Sequence, residues 1–334
     1  MQIAVNASSE LLHDDFGRLR SHAEQAADDG FAGWWLAQVG LVDALTSFTT
    51  LADVGPGMEF GTAVIPTFQR HPTSLASQAL TTAAALGNRP LVLGIGLSHR
   101  PVIEDMLGLS FEKPVRHLID YLEVLQPLLE TGAVSYAGDA FTAHFAGTRP
   151  TERRPSVMVA ALGEQVLKVA GRRTDGTILW MVGRKTVAEH IAPRMNEAAT
   201  EAGRGTPRIV CSLPVCVTSD PDAVRGAADQ VFEIYGQLPS YRAMLDREGA
   251  AGPGDVGIFG TEEEVAASLT SLAEAGVTDF AAVEFGTAAA ESSATRALLK
   301  DLIRTGVCPH RSGSHPPGTG SPDARDPRMG RRRR

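Results

Sequence analysis

The sequence is poor in cysteine and in aromatic residues, and it has no long apolar run. Its 334 residues include 3 cysteines, and aromatic side chains make up 6% of the chain. Three cysteines are too few and too unevenly spaced for a disulfide framework or a zinc knuckle, so we expect Cys211 and Cys216 to be small core residues. No segment approaches the roughly 18 apolar residues of a membrane helix. The first ten residues also lack the pattern of a secretion signal, and we therefore expect a cytoplasmic protein without a membrane partner.

The chain also lacks an excess of positive charge. It carries 31 lysines and arginines against 39 aspartates and glutamates, a formal net charge of -8. The basic residues concentrate at the end, where residues 308–334 contain seven arginines and two aspartates. An acidic body argues against nucleic acid as its main partner. We expect one domain over residues 1–306 and a disordered, basic, Pro/Gly/Ser-rich tail over residues 307–334.

Short apolar runs alternate with longer helical patterns along the whole body, which is typical of an α/β protein with a parallel sheet. Eight runs fit a (β/α)8 TIM barrel better than an open sheet, whose common forms have about five or six strands. Two connections are too long for simple turns and predict insertions after strands 4 and 7, at residues 131–155 and 237–257; we expect the first to cross the barrel mouth. The eight runs are Ile3 to Val5, Gly33 to Ala37, Met58 to Ile65, Leu91 to Ile95, Val157 to Ala161, Gly176 to Trp180, Ile209 to Val217 and Asp279 to Val283.

In such a barrel the active site lies at the carboxyl ends of the strands. Most residues at these positions are small or apolar, without metal-ligand spacing, a Ser/His/Asp set or a G-x-S-x-G elbow, so we predict no metal site. A site with so few ionisable groups indicates that a bound cofactor supplies the difficult chemistry. The strand-end candidates are Asn6, Gln38, Ala63 to Pro66, Gly96 to His99, Ala161 to Gly163, Trp180 to Gly183, Val217 and Glu284.

The stretch Gly94-Ile95-Gly96 resembles the start of a dinucleotide-binding loop. His99 occupies the place of the third glycine, so the fingerprint is incomplete. We interpret the glycines as positions where a flat ring can lie against the backbone, or as a tight turn without a ligand.

A second strand-to-helix turn lies at Val159 to Gly171. Its helix begins near Gly163, and free amides at a helix start bind anions such as a cofactor phosphate. Arg184 and Lys185 either add charge to this region or are simply solvated.

Together these segments resemble the luciferase-like monooxygenase superfamily, and within it the oxidoreductases that depend on the deazaflavin coenzyme F420, of the methylenetetrahydromethanopterin-reductase-like type. The resemblance covers Ile3 to Thr305. Its parts, in chain order, are GFAGWWLAQ from Gly30, DALTSFTTLA from Asp43, FGTAVIPTFQRHP from Phe60, LVLGIGLSH from Leu91, VAALG from Val159, TDGTILWM from Thr174 and FGTEEEVAASLTSLAEAGVTDF from Phe259.

The resemblance implies that the deazaflavin ring lies across the strand ends of the barrel. It implies a cis peptide bond between Ala63 and Val64 beside the ring, a homodimer, and F420 as the cofactor, with FMN as the alternative. Gly96, Leu97 and Ser98 would line the ring, Ala160, Ala161 and Gly163 would receive the phosphate, and Gln38 and Trp180 would contact the cofactor.

The chain departs from its relatives at two positions. Some relatives carry an Asp-His pair where this chain has Gln38-Val39, and some carry a glutamate proton donor where this chain has His99. Because imidazole titrates near neutral pH, we predict that His99 protonates the substrate. The alternative is a histidine that binds backbone and starts the next helix. His71 fits a helix cap better than a catalytic role.

The predicted function is hydride transfer between F420 and a small organic substrate, as in the reduction of an activated C=C, C=N or C=O bond. Asn6, His144 and Glu284 are the predicted substrate contacts, His144 from the first insertion. Two alternatives stay open: an FMN-dependent monooxygenase, and a non-catalytic cofactor-binding protein.

Overall fold

The fold is described by a computed structural model over residues 1–12, 15–87 and 89–307. The predicted tail lies outside these residues apart from Val307, so its disorder stays a prediction. The described strands are β1 (Gln2–Asn6), β2 (Gly33–Leu36), β3 (Glu59–Thr62), β4 (Ile65–Pro66), β5 (Leu91–Gly96), β6 (Ala133–Ala137), β7 (Thr142–Ala146), β8 (Ser156–Val159), β9 (Gly176–Trp180), β10 (Arg208–Ser212), β11 (Pro214–Val217), β12 (Ile258–Gly260) and β13 (Asp279–Glu284).

Eight of these strands form a closed parallel barrel, which confirms the predicted (β/α)8 architecture. Their order around the barrel is β1, β2, β3, β5, β8, β9, β10 and β13, and pairing of β13 with β1 closes the circle in the register Gln2 to Asp279. The third barrel strand continues into β4, and the seventh into β11, which also pairs with β12. All eight apolar runs of the sequence therefore correspond to barrel strands.

The helices surround the barrel and connect successive strands. The start of the helix before β13 illustrates the sequence signals: Thr261 accepts a hydrogen bond from the Glu264 amide, and the Glu264 carboxylate accepts one from the Thr261 amide. The helices are α1 (Gly17–Asp28), α2 (Ala44–Thr50), α3 (Pro72–Ala85), α4 (Pro114–Thr131), α5 (Glu164–Arg173), α6 (Arg184–Thr186), α7 (Ala192–Glu201), α8 (Pro221–Val231), α9 (Glu233–Gln237), α10 (Pro239–Glu248), α11 (Glu262–Glu274) and α12 (Ala289–Thr305), with shorter turns at Ser8–Leu12, Pro101–Met106, Val187–Ile191 and Pro253–Val256. No helix within the described ranges is both long and apolar enough to cross a membrane.

The barrel strands are buried on both faces, which explains why their sequences read as continuous apolar runs. Neighbouring tryptophans show the two faces: Trp34 packs outward against Phe48 and Phe60, whereas Trp35 points into the barrel. Burying a large apolar side chain stabilises the fold by about 1.5–3 kcal/mol. The barrel interior contains Ala4, Trp35, Val92, Met158, Ile178, Val210 and Ala281.

The end of the barrel opposite the strand carboxyl termini is held by ion pairs. Arg208, the first residue of β10, lies 2.9 Å from Glu59 and 2.7 Å from Asp279, which begin β3 and β13. These bonds link three strands at the end that serves stability in such barrels.

The first insertion forms the hairpin β6–β7 and packs against α4. The Tyr136 hydroxyl donates to Asp120 of that helix at 2.7 Å, and the Ala140 amide donates to the same carboxylate at 2.8 Å. The expectation that this segment crosses the barrel mouth is therefore wrong; a buried carboxylate on α4 holds it beside the helix layer. The second insertion contains α10 and does reach the mouth.

Candidate cofactor and active site

The floor of the barrel mouth is formed by the last inward-facing residue of each strand. Because side chains alternate along a strand, a residue two positions beyond an interior residue also faces inward. By this rule Gly96 and Ala160 follow Val92 and Met158, and the Ala160 amide continues the ladder by donating to Ile95 at 2.8 Å. The inward positions at this level include Asn6, Ala37, Gly96, Ala160, Trp180, Ser212 and Val283. The result is a floor of mostly small side chains, suited to a flat ring.

The peptide bond between Ala63 and Val64 is cis, as the resemblance implied. The segment lies between two strands: the Ala63 amide donates to Leu36 at 2.9 Å, and the Val64 carbonyl accepts from Gln38. Both side chains pack on the interior cluster. The cis bond therefore belongs to the edge of the same floor.

The glycines of the fourth barrel strand make room for this third strand. A Cβ on Gly94 would lie 1.9 Å from the Thr62 carbonyl oxygen, and one on Gly96 would lie 2.7 Å from a methyl of Val64. Both distances are shorter than atomic contact allows. The packing of the third strand thus accounts for glycine at these positions. The two interpretations from the sequence are room for a flat ring and a tight turn, and neither contains this reason.

Gln38 holds the loop that follows the second strand. Its amide nitrogen donates to Val42 at 2.9 Å, and its oxygen accepts from the Ala44 amide and from Arg70. Arg70 also pairs with Asp43. Burial opposes ionisation of Asp43, but hydrogen bonds from Thr46 and Arg70 outweigh it and lower the pKa of Asp43. The side chain of Gln38 is occupied in this network, and its cofactor contact stays a prediction.

The start of α5 has no side-chain cap. Gly163 is its first flanking residue, makes no side-chain cap and has an extended backbone with φ -76° and ψ 149°. A Cβ placed on Gly163 would meet nothing within 4 Å. Buried Ala161 precedes it, and the Leu162 carbonyl is 2.8 Å from Nε2 of buried His190. The first amides of α5 are thus free of a protein cap and stand on a fixed turn.

The start of α6, by contrast, is already occupied by a carboxylate. Glu248 of α10 accepts from the amides of Lys185 at 3.0 Å and Thr186 at 2.7 Å, and from the Thr186 hydroxyl. A negative side chain at this position takes the place that a phosphate would use. Arg184 and Lys185 are exposed there, and whether they add charge at the start of α5 stays a prediction.

His99 lies at the edge of the floor. Ser98 before it has φ 60°, a left-handed conformation that turns the chain sharply at the strand end. Half-buried His99 faces Tyr241, with ring centroids 5.4 Å apart, and no hydrogen bond joins its imidazole to another described residue. Its backbone carbonyl accepts from Ile103, which starts the next helical turn. Burial lowers the pKa of His99 below its ordinary value, so the imidazole is neutral at pH 7.

An aromatic cluster continues from His99 across the mouth. Tyr241 contacts Tyr235 with centroids 5.0 Å apart, and Tyr235 contacts Trp180 at 5.8 Å. Phe232 lies 5.4 Å from both Trp180 and Phe285. Burial raises the pKa of Tyr241, which keeps its hydroxyl protonated. Of these rings, only Trp180 was predicted from the sequence. The chain has four tyrosines, and two of them, Tyr235 and Tyr241, lie in or next to the second insertion, which was the available signal.

The three predicted substrate contacts lie in different places. Asn6 is at the mouth but donates to Ser212 at 3.2 Å and accepts from Ser8. His144 is exposed on β7, 3.0 Å from the Ser135 hydroxyl. The hairpin beside α4 carries it, so the structure does not bring it to the floor.

Glu284 faces away from the barrel interior. Ala281 points inward, so Glu284, three residues later, points toward the helices. There its carboxylate pairs with Arg296 at 2.5 and 2.8 Å, and burial raises its pKa. It lines a cavity of about 520 Å³ between α1 and α12, together with His22. The structure therefore does not bring Glu284 to the aromatic mouth.

The described residues contain no group of three or more His, Cys, Asp or Glu side chains placed to hold a metal ion. Cys211 and Cys216 are buried free thiols, and burial raises the pKa of both, Cys216 to about 11. Both pKa values keep the thiols protonated at neutral pH.

Comparison with known families decides the classification. The model of the family described as luciferase-like monooxygenase matches residues 2–294. The chain belongs to this family. Proteins similar to it are named as reductases, dehydrogenases and monooxygenases, and some of these names include F420 or FMN.

Two curated relatives indicate the range of sequence similarity. The 5,10-methylenetetrahydromethanopterin reductase of Methanopyrus kandleri is 26% identical over 328 residues, covering 82% of this chain and 91% of the reductase. The F420-dependent glucose-6-phosphate dehydrogenase of Kineococcus radiotolerans is 24% identical over 247 residues, covering 70% of this chain and 72% of the dehydrogenase.

Solved structures of both cofactor classes share the fold. The coenzyme F420-dependent tetrahydromethanopterin reductase of Methanopyrus kandleri has a TM-score of 0.74 at 20% identity, covering 91% of this chain and 97% of its own. An F420-dependent secondary alcohol dehydrogenase has a TM-score of 0.74 at 18% identity, with 91% and 98% covered. The FMN-bound oxygenating component of 3,6-diketocamphane monooxygenase from Pseudomonas putida has a TM-score of 0.72 at 16% identity, with 91% and 97% covered.

Proposed function

We propose that this protein is an F420-dependent oxidoreductase that transfers a hydride between the deazaflavin and a small organic substrate. The observation that carries the proposal is the set of groups found at the carboxyl ends of the barrel strands. A small-residue floor edged by the cis Ala63-Val64 bond leads to the uncapped start of α5, and His99 stands at its rim. Together these groups offer a place for a ring, a phosphate and a substrate.

The residues present fit such a cofactor. Ala63, Val64, Gly96 and Ala160 present no bulky polar group to a ring, and the free amides after Gly163 suit a phosphate diester. When bound, the deazaflavin supplies two-electron hydride chemistry. Leu97, Ser98 and Trp180 are partly exposed at the same strand ends, whereas Ala161 is fully buried in the core outside the barrel. Their cofactor contacts stay predictions.

His99 has the chemistry to exchange the proton that accompanies hydride transfer. Because burial lowers its pKa, the imidazole is neutral at pH 7 and accepts a proton when an alcohol is oxidised. For reduction of C=O, C=N or C=C it must first be protonated, which occurs below its pKa. The rate of reduction is therefore expected to fall as pH rises through that pKa, and the rate of oxidation is expected to rise.

The test is spectroscopic. The protein loaded with F420, and in a parallel sample with its reduced form, is mixed with a panel of alcohols, ketones, imines and enones, and the deazaflavin absorbance is followed from pH 5 to pH 8. We expect a change of absorbance with at least one class, with opposite pH trends for oxidation and reduction. Binding without any redox change across the panel would contradict the proposal and favour a non-catalytic cofactor-binding protein.

One other function has specific support. Solved FMN-dependent monooxygenases share the fold to the same degree as the F420 enzymes, so the barrel alone does not choose between them. We favour F420 because a curated relative found by sequence, the dehydrogenase of Kineococcus radiotolerans, carries that dependence in its name. The homodimer and the cytoplasmic location stay predictions.

A further inference from the structure

We propose that the substrate bound beside the cofactor is an uncharged aromatic or alicyclic compound, and that sugar phosphates and other anions are excluded. This inference rests on the proposed function, since it concerns the same mouth. It goes further by assigning the substrate side to the aromatic cluster of Trp180, Phe232, Tyr235, Tyr241 and Phe285, called here the aromatic wall.

The aromatic wall links strand ends on different parts of the barrel. Trp180 ends the sixth barrel strand and Phe285 follows the eighth, while Tyr235 and Tyr241 come from α9 and α10. Adjacent rings meet nearly edge to face, at 81° for Trp180 with Phe232 and 80° for Tyr235 with Tyr241. Edge-to-face contacts are a favourable arrangement of aromatic rings. An apolar ring of a substrate can extend the same series.

The wall ends on His99, whose imidazole makes no hydrogen bond to another described residue. His99 faces Tyr241 at 5.4 Å, and burial keeps both rings neutral at pH 7. A neutral imidazole beside protonated tyrosines offers hydrogen bonds to a carbonyl or hydroxyl oxygen. It does not offer the charge needed to bring a phosphate or carboxylate out of water.

Three arginines that follow barrel strand ends or lie on α10 form ion pairs with carboxylates. Arg70 pairs with Asp43, Arg100 with Glu104 at 2.6 Å, and Arg242 with Asp246 at 2.8 Å. Glu248 adds a carboxylate at the start of α6, next to the sixth strand end. An anion at the wall would meet these paired cations and the additional negative charge of Glu248, while Arg184 and Lys185 after the sixth strand are exposed to solvent.

The rim of the mouth is apolar as well. Several large apolar side chains lie exposed in the loops and helices that follow the second, fourth and seventh barrel strands. Leu41 is fully exposed, and Met106 is 76% exposed. Exposed apolar residues gathered at one end of a barrel are typical of a binding surface for apolar molecules. They are Val39, Leu41, Met106, Leu107, Leu109, Val231 and Ile234.

The experiment compares two ketones of nearly equal size, the uncharged 4-methylacetophenone and the anion 4-acetylbenzoate. Glucose 6-phosphate is a third, anionic probe. Binding to the F420-loaded protein is measured by calorimetry. The same titrations are followed by tryptophan fluorescence in cofactor-free protein, where Trp180 is the reporter because Trp34 and Trp35 are buried. We expect the uncharged ketone to bind about tenfold or more tightly than either anion, because none of the five wall side chains carries a positive charge.

Two variants locate the binding. Tyr241→Ala should weaken binding of the uncharged ketone about tenfold, whereas Tyr241→Phe should retain it within about threefold because the ring remains. Phe145→Ala, which removes an exposed ring on the hairpin beside α4, is the matched control and should have no effect. Equal or tighter binding of 4-acetylbenzoate or glucose 6-phosphate, or an unchanged ketone affinity in Tyr241→Ala, would overturn the inference.

The same measurements distinguish a failure of the proposed function from a failure of the proposed substrate class. If F420 does not bind, the fluorescence titration on cofactor-free protein still decides the substrate class. If F420 binds and both the charge preference and the Tyr241→Ala effect are missing, the substrate class alone is wrong.

Discussion

Replacing His99 with asparagine is expected to slow the proton-coupled hydride step by about 10²- to 10⁴-fold, the usual contribution of a positioned acid or base. Asparagine keeps a hydrogen-bonding side chain of similar size but does not titrate. The backbone of residue 99 accepts from Ile103 and is unaffected. We expect the dissociation constant for F420 to change by less than about threefold, because the imidazole lies at the rim of the floor. Single-turnover absorbance kinetics measure the step.

The pH profile distinguishes a proton role from a structural one. The native enzyme should show a titration below pH 6.5 in the hydride step, in line with the lowered pKa of His99, and the variant should lose it. His71→Asn is the matched control. His71 caps α3 by accepting from the Thr73 amide, and asparagine is also a good cap, so activity should be unchanged. Full turnover with an unaltered pH profile in His99→Asn would remove the assignment.

Replacing Gly163 with aspartate is expected to abolish phosphate recognition without harming the fold. The position is open, with nothing within 4 Å of an added Cβ, and its backbone is in a region that any residue adopts. Aspartate is among the best residues for capping a helix start, so the melting temperature should stay equal or rise slightly. The same carboxylate would occupy the free amides of α5 and repel a phosphate. We expect about a 100-fold loss of F420 affinity, since two charges about 4 Å apart interact by a few kcal/mol near a protein surface.

The loss should depend on the phosphate. Binding of F420 is compared with that of the deazaflavin chromophore lacking the phosphate side chain, in native protein, in Gly163→Asp and in Gly163→Ala. The aspartate variant should bind the two molecules with similar affinity, whereas the alanine variant should retain the native preference for F420. A preserved preference in Gly163→Asp would place the phosphate elsewhere.

Most of the fold could be predicted from the sequence because barrel strands are buried on both faces. That burial makes each strand a short apolar run, and the helices between them carry their own start signals, such as Thr261 and Glu264. The resemblance added the cis Ala63-Val64 bond, which no local pattern indicates. Position at strand ends also identified Gly96, Gly163 and His99.

The other features depend on contacts between distant segments. Whether a strand-end side chain points inward is set by strand parity, and this parity directs Glu284 to Arg296 on the outer face. Glycine is required at positions 94 and 96 because a larger side chain would clash with Thr62 and Val64 of the neighbouring strand. The position of the hairpin is set by its hydrogen bonds to Asp120 on α4. Tyr241 contacts His99 from α10, a helix that a search of strand ends does not include. None of these partners is local in sequence.

The most direct test of the account is a paired titration of the purified protein with F420 and with FMN, followed by tryptophan and cofactor fluorescence. We expect saturable binding of F420 at micromolar or lower concentration, weakened in Gly163→Asp, and FMN binding weaker by about tenfold or more. Tight FMN binding with no binding of F420 would contradict it.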